Sequence, residues 1–398
     1  MNIESFARSI NAYMDKERQA MEAMLEELVN RDSGSYDITE VNALGDLLAG
    51  QLEAMGCTVT LYQQHGAAYP VAGHYEPGGM AAGAAAPARS ILLVGHRDTV
   101  FPAGTAEKRP FSRDASRFYG PGVADMKGGI VAGLFAMKAL IAMQEQTGPL
   151  PLEIVLTSDE EIGSTVSGPV LMERCKTAKA AFFLEPARAN GAVVTARDGS
   201  DIFRVDVYGK AAHAGLNFTD GASAINGLAA IISEFAALTD AGGAFSVSTG
   251  LVGGGSGAAI VADHAWCMGC TRYTSLEQRQ YLLDSFHRIV ETHNGGGLRA
   301  ALDCSAGYLP LTANEANMRM FALAREAAGH FGLDLEGVHT KGSGDAGLAA
   351  AQGVPAICGM GPVGGNLHTD EEYLEAASLP ERAKVLALSI LLAAERFA

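Results

Sequence analysis

The chain has 398 residues, more than one hydrophobic core usually organises, so two domains are expected. With 48% hydrophobic and 19% charged residues it reads as globular, and no apolar run reaches the roughly 18 residues that a membrane span needs. A net charge of −16 speaks against nucleic acid or an anionic membrane as partner and leaves a small anionic substrate open.

Residues 4–29 and 38–55 carry helical periodicity, the second run stopped by Gly56. The first has no apolar leader, which predicts a cytoplasmic protein. CTVTLY (57–62) predicts a strand and EPGGMAAGAAAPAR (76–89) a loop of low complexity. SILLVGHRD (90–98), LEIVLTS (152–158) and AAFFLE (180–185) predict strands, with helices over 126–143 and 166–175 between them. Strands that are apolar almost throughout, alternating with helices, point to a mixed, mostly parallel α/β sheet. Near Arg197 the pattern changes. DIFRVDVYGK (201–210) alternates apolar and polar residues, and a β-α-β-β-α block follows through helix 276–293. VPAICGMGPVG (354–364) and a helix over 379–397, with the apolar run VLALSILLAA, return to the first character. Residues 1–197 and 310–398 are therefore expected to form one domain, with 198–309 inserted in it as a smaller α+β domain.

The apolar strands of the first part end in acids or histidine: His96 and Asp98, Glu160 and Glu161, and Glu185. Sites in open α/β sheets form beyond the carboxyl ends of the strands. Asp125 follows the glycines of YGPGVAD, and His368 lies in the turn GGNLHTD. Two histidines with several carboxylates make a ligand set for a first-row metal, most simply zinc. A cation would offset the repulsion between Glu160 and Glu161. Those two side chains point in different directions, so one can bind metal while the other acts as a base toward a water. His96 and Asp98, two apart on a strand, face the same way, which lets Asp98 hold the imidazole N–H. Cys267 and Cys270 form C-x-x-C without a matching second pair, and the six cysteines read as free thiols in a reduced compartment.

The series GHRDTV, GPGVADMKGG, SDEEIGS, LEPA and HTDEEY resembles the M20 metallopeptidases, in order, from about residue 90 to the C-terminus. The likeness is greatest to the glutamate carboxypeptidase branch, of the carboxypeptidase G2 type. The resemblance implies two zinc ions per chain, with Co2+ or Mn2+ as substitutes. Asp125 would bridge them, His96 and Glu185 would bind one, and Glu161 and His368 the other. Glu160 would be the general base and Asp98 would orient His96. The implied reaction is metal-assisted hydrolysis of an amide, without a covalent intermediate.

The inserted block is similar to the family's lid, through which members form homodimers. His213 in GKAAHAG would donate to the tetrahedral oxyanion, often across to the partner subunit. Arg272 would bind the substrate's free carboxylate, within a backbone formed by Gly342, Ser343, Gly344 and Gly361. Ala258 and Val261 stand where the family motif has Asn and Pro, and Cys270 replaces an aspartate two residues before Arg272. The expected substrate is a small peptide or N-acyl amino acid, with release of C-terminal glutamate as the first reading. An N-acyl-amino-acid deacylase, a dipeptidase, or a non-catalytic metal-binding protein that dimerises on the same scaffold are the alternatives. Neither nucleic acid nor membrane is expected as a partner.

Overall fold

A computed structural model describes residues 2–78 and 89–397, so most of the loop expected over 76–89 lies outside the described residues. The chain divides into two compact units. The first comprises 1–196, 313–340 and 348–398; the second comprises 197–312 together with 341–347. The short stretch Lys341–Gly347 thus goes with the second unit, whereas the sequence placed it in the first.

The first unit is built on a six-stranded sheet in the order Thr58–Leu61, Val71–Tyr75, Leu152–Thr157, Ser90–His96, Ala178–Phe183, Ala356–Ile357. The three pairings from Leu152–Thr157 onward are parallel, and the two on the other edge are antiparallel. Ser90–His96 is buried along its whole length, as its unbroken apolar run requires. From this strand the chain goes first to Leu152–Thr157 on one side and then to Ala178–Phe183 on the other. The carboxyl end of Ser90–His96 is therefore a topological switch point, where open α/β sheets leave a crevice.

Helices Ile3–Val29, Gly129–Ala142 and Ser378–Arg396 pack on one another, the last two also on Ser90–His96. VLALSILLAA, at the centre of Ser378–Arg396, is buried on all sides, which explains a helix without a polar face. Among the described residues, no helix is long and apolar enough to cross a membrane.

Arg97, between the two motif residues of GHRD, is fully buried. Its guanidinium donates to the main-chain carbonyls of Val41, Leu156 and Thr157 at 2.8–3.3 Å, and also to Tyr69. Burial pulls the Arg97 pKa down to about 10. The side chain so ties the end of the central strand to Ile38–Ala54 and to the neighbouring strand.

The second unit is a four-stranded antiparallel sheet, ordered Phe245–Gly254, His264–Tyr273, Ser200–Tyr208, Arg299–Tyr308. Helices Ala224–Ala237 and Leu276–Thr292 bury one face of it over Phe203, Phe235 and Phe286, whose ring centroids lie 4.1–5.4 Å apart. The last strand, Arg299–Tyr308, was not expected from the sequence. All six cysteines are free. Cys267 and Cys270 are three apart on one strand and so point to opposite faces, and burial pushes the Cys267 thiol up to about 11.

Candidate active site

At the switch point, five expected residues converge. His96 ends the central strand and is 2% exposed. Its Nε2 lies 3.1 Å from Asp125 Oδ1 and 3.9 Å from Glu185 Oε1. On the far side, His368 Nε2 lies 3.3 Å from Asp125 Oδ2 and 3.3 Å from Glu161 Oε2. Asp125 thus turns one oxygen to each histidine. Ligand atoms of His96, Asp125 and Glu161 all fall within 4.8 Å of one another.

Each group reaches this point for a local reason. Glu185 follows its strand, where the backbone is gripped from two sides. The Gly361 N–H donates to the Glu185 carbonyl at 2.9 Å, and a Cβ on Gly361 or Gly129 would overlap the Leu184 carbonyl oxygen. The glycine of GMGP therefore serves close backbone approach. His368 sits at φ 63 and Asn366 at φ 52, left-handed positions that non-glycine residues seldom adopt. Hydrogen bonds from Thr369 Oγ1 to the Asn366 carbonyl (2.7 Å) and from Arg109 to the carbonyls of Thr369 and Asp370 (3.2 and 2.7 Å) hold that turn.

Asp98 is wholly buried, and its carboxylate does something the sequence did not suggest. The expected hydrogen bond to the His96 ring is made instead by the Asp98 main-chain carbonyl, 3.0 Å from Nδ1; the nearer carboxylate oxygen is 3.7 Å away. The carboxylate accepts the N–H of Glu160 on Oδ1 and that of Glu161 on Oδ2, each at 3.1 Å, and the Ser35 hydroxyl at 2.7 Å. The short turn Glu160–Ile162 starts here, so no residue separates the two acids, and one acceptor fixes both.

The cluster fits a pair of cations. Two ligand atoms each about 2.0–2.1 Å from a tetrahedral zinc lie about 3.3 Å apart; the spacings of the histidines to Asp125 and Glu161 are of that size, and that of His96 to Glu185 is longer. Glu161 Oε1 is buried without a hydrogen-bond partner, an arrangement that is costly unless a positive charge meets it. In the protein alone the imidazoles carry the compensating charge. Burial opposes protonation of His96, yet Asp125 with the charges of Glu160 and Glu185 holds its pKa well above the ordinary range. Asp125 and Glu161 lift His368 to about 10. Burial works against ionisation of Asp125, and the two histidines overcome it and keep the group ionised. A bound cation takes the place of those ring protons, since a ligand nitrogen must be unprotonated. Beside Glu161 opens a cleft of about 660 Å³, walled by Tyr36, Ile38, Val100, Phe101 and Ile162 among others, with no lysine, arginine or histidine.

His213, Arg272 and Gly342–Gly344 belong to the second unit. His213 is exposed, and its Nδ1 accepts the N–H groups of Gly215 and Leu216 at 3.1 Å each. That leaves the ring proton on Nε2, so this nitrogen is a donor. The segment with Ala258 runs alongside: Ala214 N–H donates to the Ala259 carbonyl (3.0 Å) and Val261 N–H to the Ala212 carbonyl (2.9 Å). Arg272 donates to the Ser343 hydroxyl at 2.6 Å, which joins two expected residues 71 positions apart.

Sequence reasoning missed Ser35, Arg97 and Glu372. Glu372 stands in the quoted HTDEEY, but nothing distinguishes it from the exposed Glu371 beside it until its burial is known. Burial pushes its carboxyl up to about 7, against three backbone N–H groups that favour the ionised form.

The chain matches the model of peptidase family M20/M25/M40 over residues 92–392. It is 26% identical over 383 residues to carboxypeptidase G2 of Pseudomonas sp. (strain RS-16), covering 94% of this chain and 89% of that one. It is 26% identical over 379 residues to succinyl-diaminopimelate desuccinylase of Paracidovorax citrulli, covering 89% and 93%. Among solved structures, the Bacillus subtilis YXEP protein, a dinuclear metal binding peptidase from the M20 family, superposes with TM-score 0.69 at 15% identity, covering 96% of this chain and 99% of that one. The strand-end acids and histidines described above therefore belong to an enzyme of peptidase family M20/M25/M40, a metallopeptidase or amidohydrolase.

Proposed function

We propose that the protein is a zinc-dependent carboxypeptidase that hydrolyses an amide next to a free α-carboxylate and releases C-terminal glutamate or a similar amino acid. The observation that carries the reading is Asp125, with one oxygen on His96 and the other on His368. His96, Glu185 and Asp125 would hold one zinc, and Glu161, His368 and Asp125 the second. Bound there, the pair supplies Lewis acidity toward a carbonyl oxygen and makes a water acidic near neutral pH.

The side chains do the rest. Glu160, held by its own N–H on Asp98, takes a proton from the attacking water as the new C–O bond forms. It passes that proton to the departing nitrogen as the C–N bond breaks, giving a carboxylic acid and a free amine. His213 offers Nε2–H to the oxyanion. Arg272 and Ser343 recognise the free carboxylate, for which a planar guanidinium is suited, with Gly342, Gly344 and Gly361 supplying close backbone. The cleft beside Glu161 has no cation, so it suits the part of the substrate that lacks the carboxylate.

The protein would act as a homodimer through the second unit. The Phe245–Gly254 strand is a sheet edge with Leu251 58% and Val252 67% exposed, and Ile225 stands exposed on a helix that packs against that strand. Open edges with apolar side chains are seldom left bare. Six free thiols fit a reduced, cytoplasmic compartment.

The likeness to the desuccinylase supports an N-acyl-amino-acid deacylase as the second reading. A panel of N-acyl-glutamates, their α-amides, dipeptides and N-acyl-diamino acids, with and without zinc, separates the two. Zinc-dependent turnover of N-acyl-glutamates but not of their α-amides is expected. Turnover confined to the N-acyl-diamino acids would replace the first reading by the second.

A further inference from the structure

Glu372 is fully buried, and no step above uses it. One carboxylate oxygen accepts the N–H groups of Ala124 (2.9 Å) and Asp125 (3.0 Å), and the other accepts that of Gly122 (3.0 Å). All three donors lie on the turn that presents Asp125. The backbone after Glu372 enters the strand Tyr373–Glu375, which pairs antiparallel with Arg117–Tyr119, the strand that leads into the same turn. Four residues before Glu372 stands His368, on the turn already described. A single side chain therefore bonds the segment that carries His368 to the segment that carries Asp125. Lys127, two residues beyond Asp125, is buried too, and its Nζ donates to the Arg31 carbonyl at 2.8 Å. Three N–H groups converge on a group that, ionised, has only acceptors; an amide would set its own N–H against one of them.

We propose that Glu372 is a positioning residue that locks the Asp125 turn to the His368 segment and so sets the span between the two halves of the cation site. The inference rests on the two-cation reading of the cluster. Its alternative is a carboxylate that only caps a buried turn and adds stability.

Metal binding distinguishes these. Metal-free protein is titrated with Zn2+ against a chromophoric chelator, and the visible spectrum is recorded after Co2+ loading. The wild type should take up two ions. Glu372→Gln should weaken at least one of them by about 10–100-fold, the usual effect of losing a partner behind a metal ligand, and should alter the cobalt spectrum. Glu371→Gln, the exposed neighbour, should leave both unchanged. If Glu372→Gln does not fold, Glu372→Asp, shorter by one methylene, is titrated instead and should show the same weakening. Wild-type affinities and an unaltered cobalt spectrum in whichever variant folds would overturn the proposal, even if its melting temperature falls. A wild type that binds no pair of ions would instead remove the two-cation reading, and this inference with it.

Discussion

The two units carry their chemistry in different ways. In the first, the groups of the cluster come from the ends of buried strands or from turns that hydrogen bonds hold: His96, Asp98 and Glu160 are all under 9% exposed, while the His368 side chain is 51% exposed. In the second, His213 is exposed and fixed only by two local N–H donors, and Arg272 reaches the neighbouring Ser343. The cluster rests mostly on the core of a fold and is closed from the surface by His368, while the second unit's His213 is exposed and its Arg272 partly buried. A core site tolerates little change in residue type, and a surface site can change partners. Ala258, Val261 and Cys270, where the resemblance implied other residues, all lie in the second unit.

Five substitutions and one measurement of pH dependence test the contrast. Asp125→Asn should have the largest effect. It weakens the one side chain that both halves of the cluster share, so metal analysis should find both ions lost and activity gone, as after exhaustive chelation of the wild type. Retention of two ions would break the shared-ligand description. Glu160→Gln should follow, with kcat reduced by about 10²–10⁴-fold and metal content unchanged. Glu161→Gln, one residue on, should lose metal as well; equal metal content in both variants would erase the division between the two acids.

For the second unit, His213→Ala should lower kcat by about 10²-fold. Mixing tests where the ring works. When Glu160→Gln and His213→Ala chains exchange subunits, about half the dimers are mixed. If His213 serves the partner's site, roughly a quarter of wild-type activity should return; if it serves its own chain, none should. Arg272→Ala should act more weakly, raising KM by about 10-fold for substrates with a free α-carboxylate and leaving kcat near the wild type. Equal turnover of acid and α-amide by the wild type would exclude this role. The smallest effect belongs to an ion cluster outside both sites. His74 lies 3.8 Å from buried Glu153 and 3.3 Å from Glu76, and these carboxylates raise its pKa above the ordinary value. A raised folded-state pKa stabilises the fold at low pH, and that share is lost as pH rises through it. His74→Gln should therefore lower Tm by a few degrees at pH 6 and less at pH 9, in metal-loaded protein where the main site is held constant. An equal change at both pH values would show that packing, and not charge, is what His74 contributes.

Part of the cluster was legible because burial writes itself into sequence, in apolar strands that end in His96, Glu160, Glu161 and Glu185; Asp125 and His368 lie in turns, and the roles of all six were what the family resemblance implied. Most long helices were legible from their periodicity, within a few residues at each end, but Glu315–Gly329 was not assigned from the sequence. The strand Val71–Tyr75 was missed since VAGHY is short and carries a glycine and a histidine, and Arg299–Tyr308 since RAALDCSAGY has no β-branched residue. Glu372 was invisible as a buried group for a different reason. Its neighbours are backbone N–H groups of a turn some 250 positions away, and backbone partners leave no trace in residue type. The grouping of Lys341–Gly347 with the second unit differs from the sequence reading because composition cannot say which core a short glycine-rich segment rests against.

Asp98 carries a further consequence. Glu160 and Glu161 hang from opposite oxygens of one carboxylate, which has a third anchor in Ser35. The group proposed to move protons and the group proposed to hold a cation then share a single point of registration. A displacement of that point shifts both together and leaves their mutual offset intact. The turn can drift as a unit during evolution or thermal motion without desynchronising its two tasks, whereas separate supports would let each wander alone.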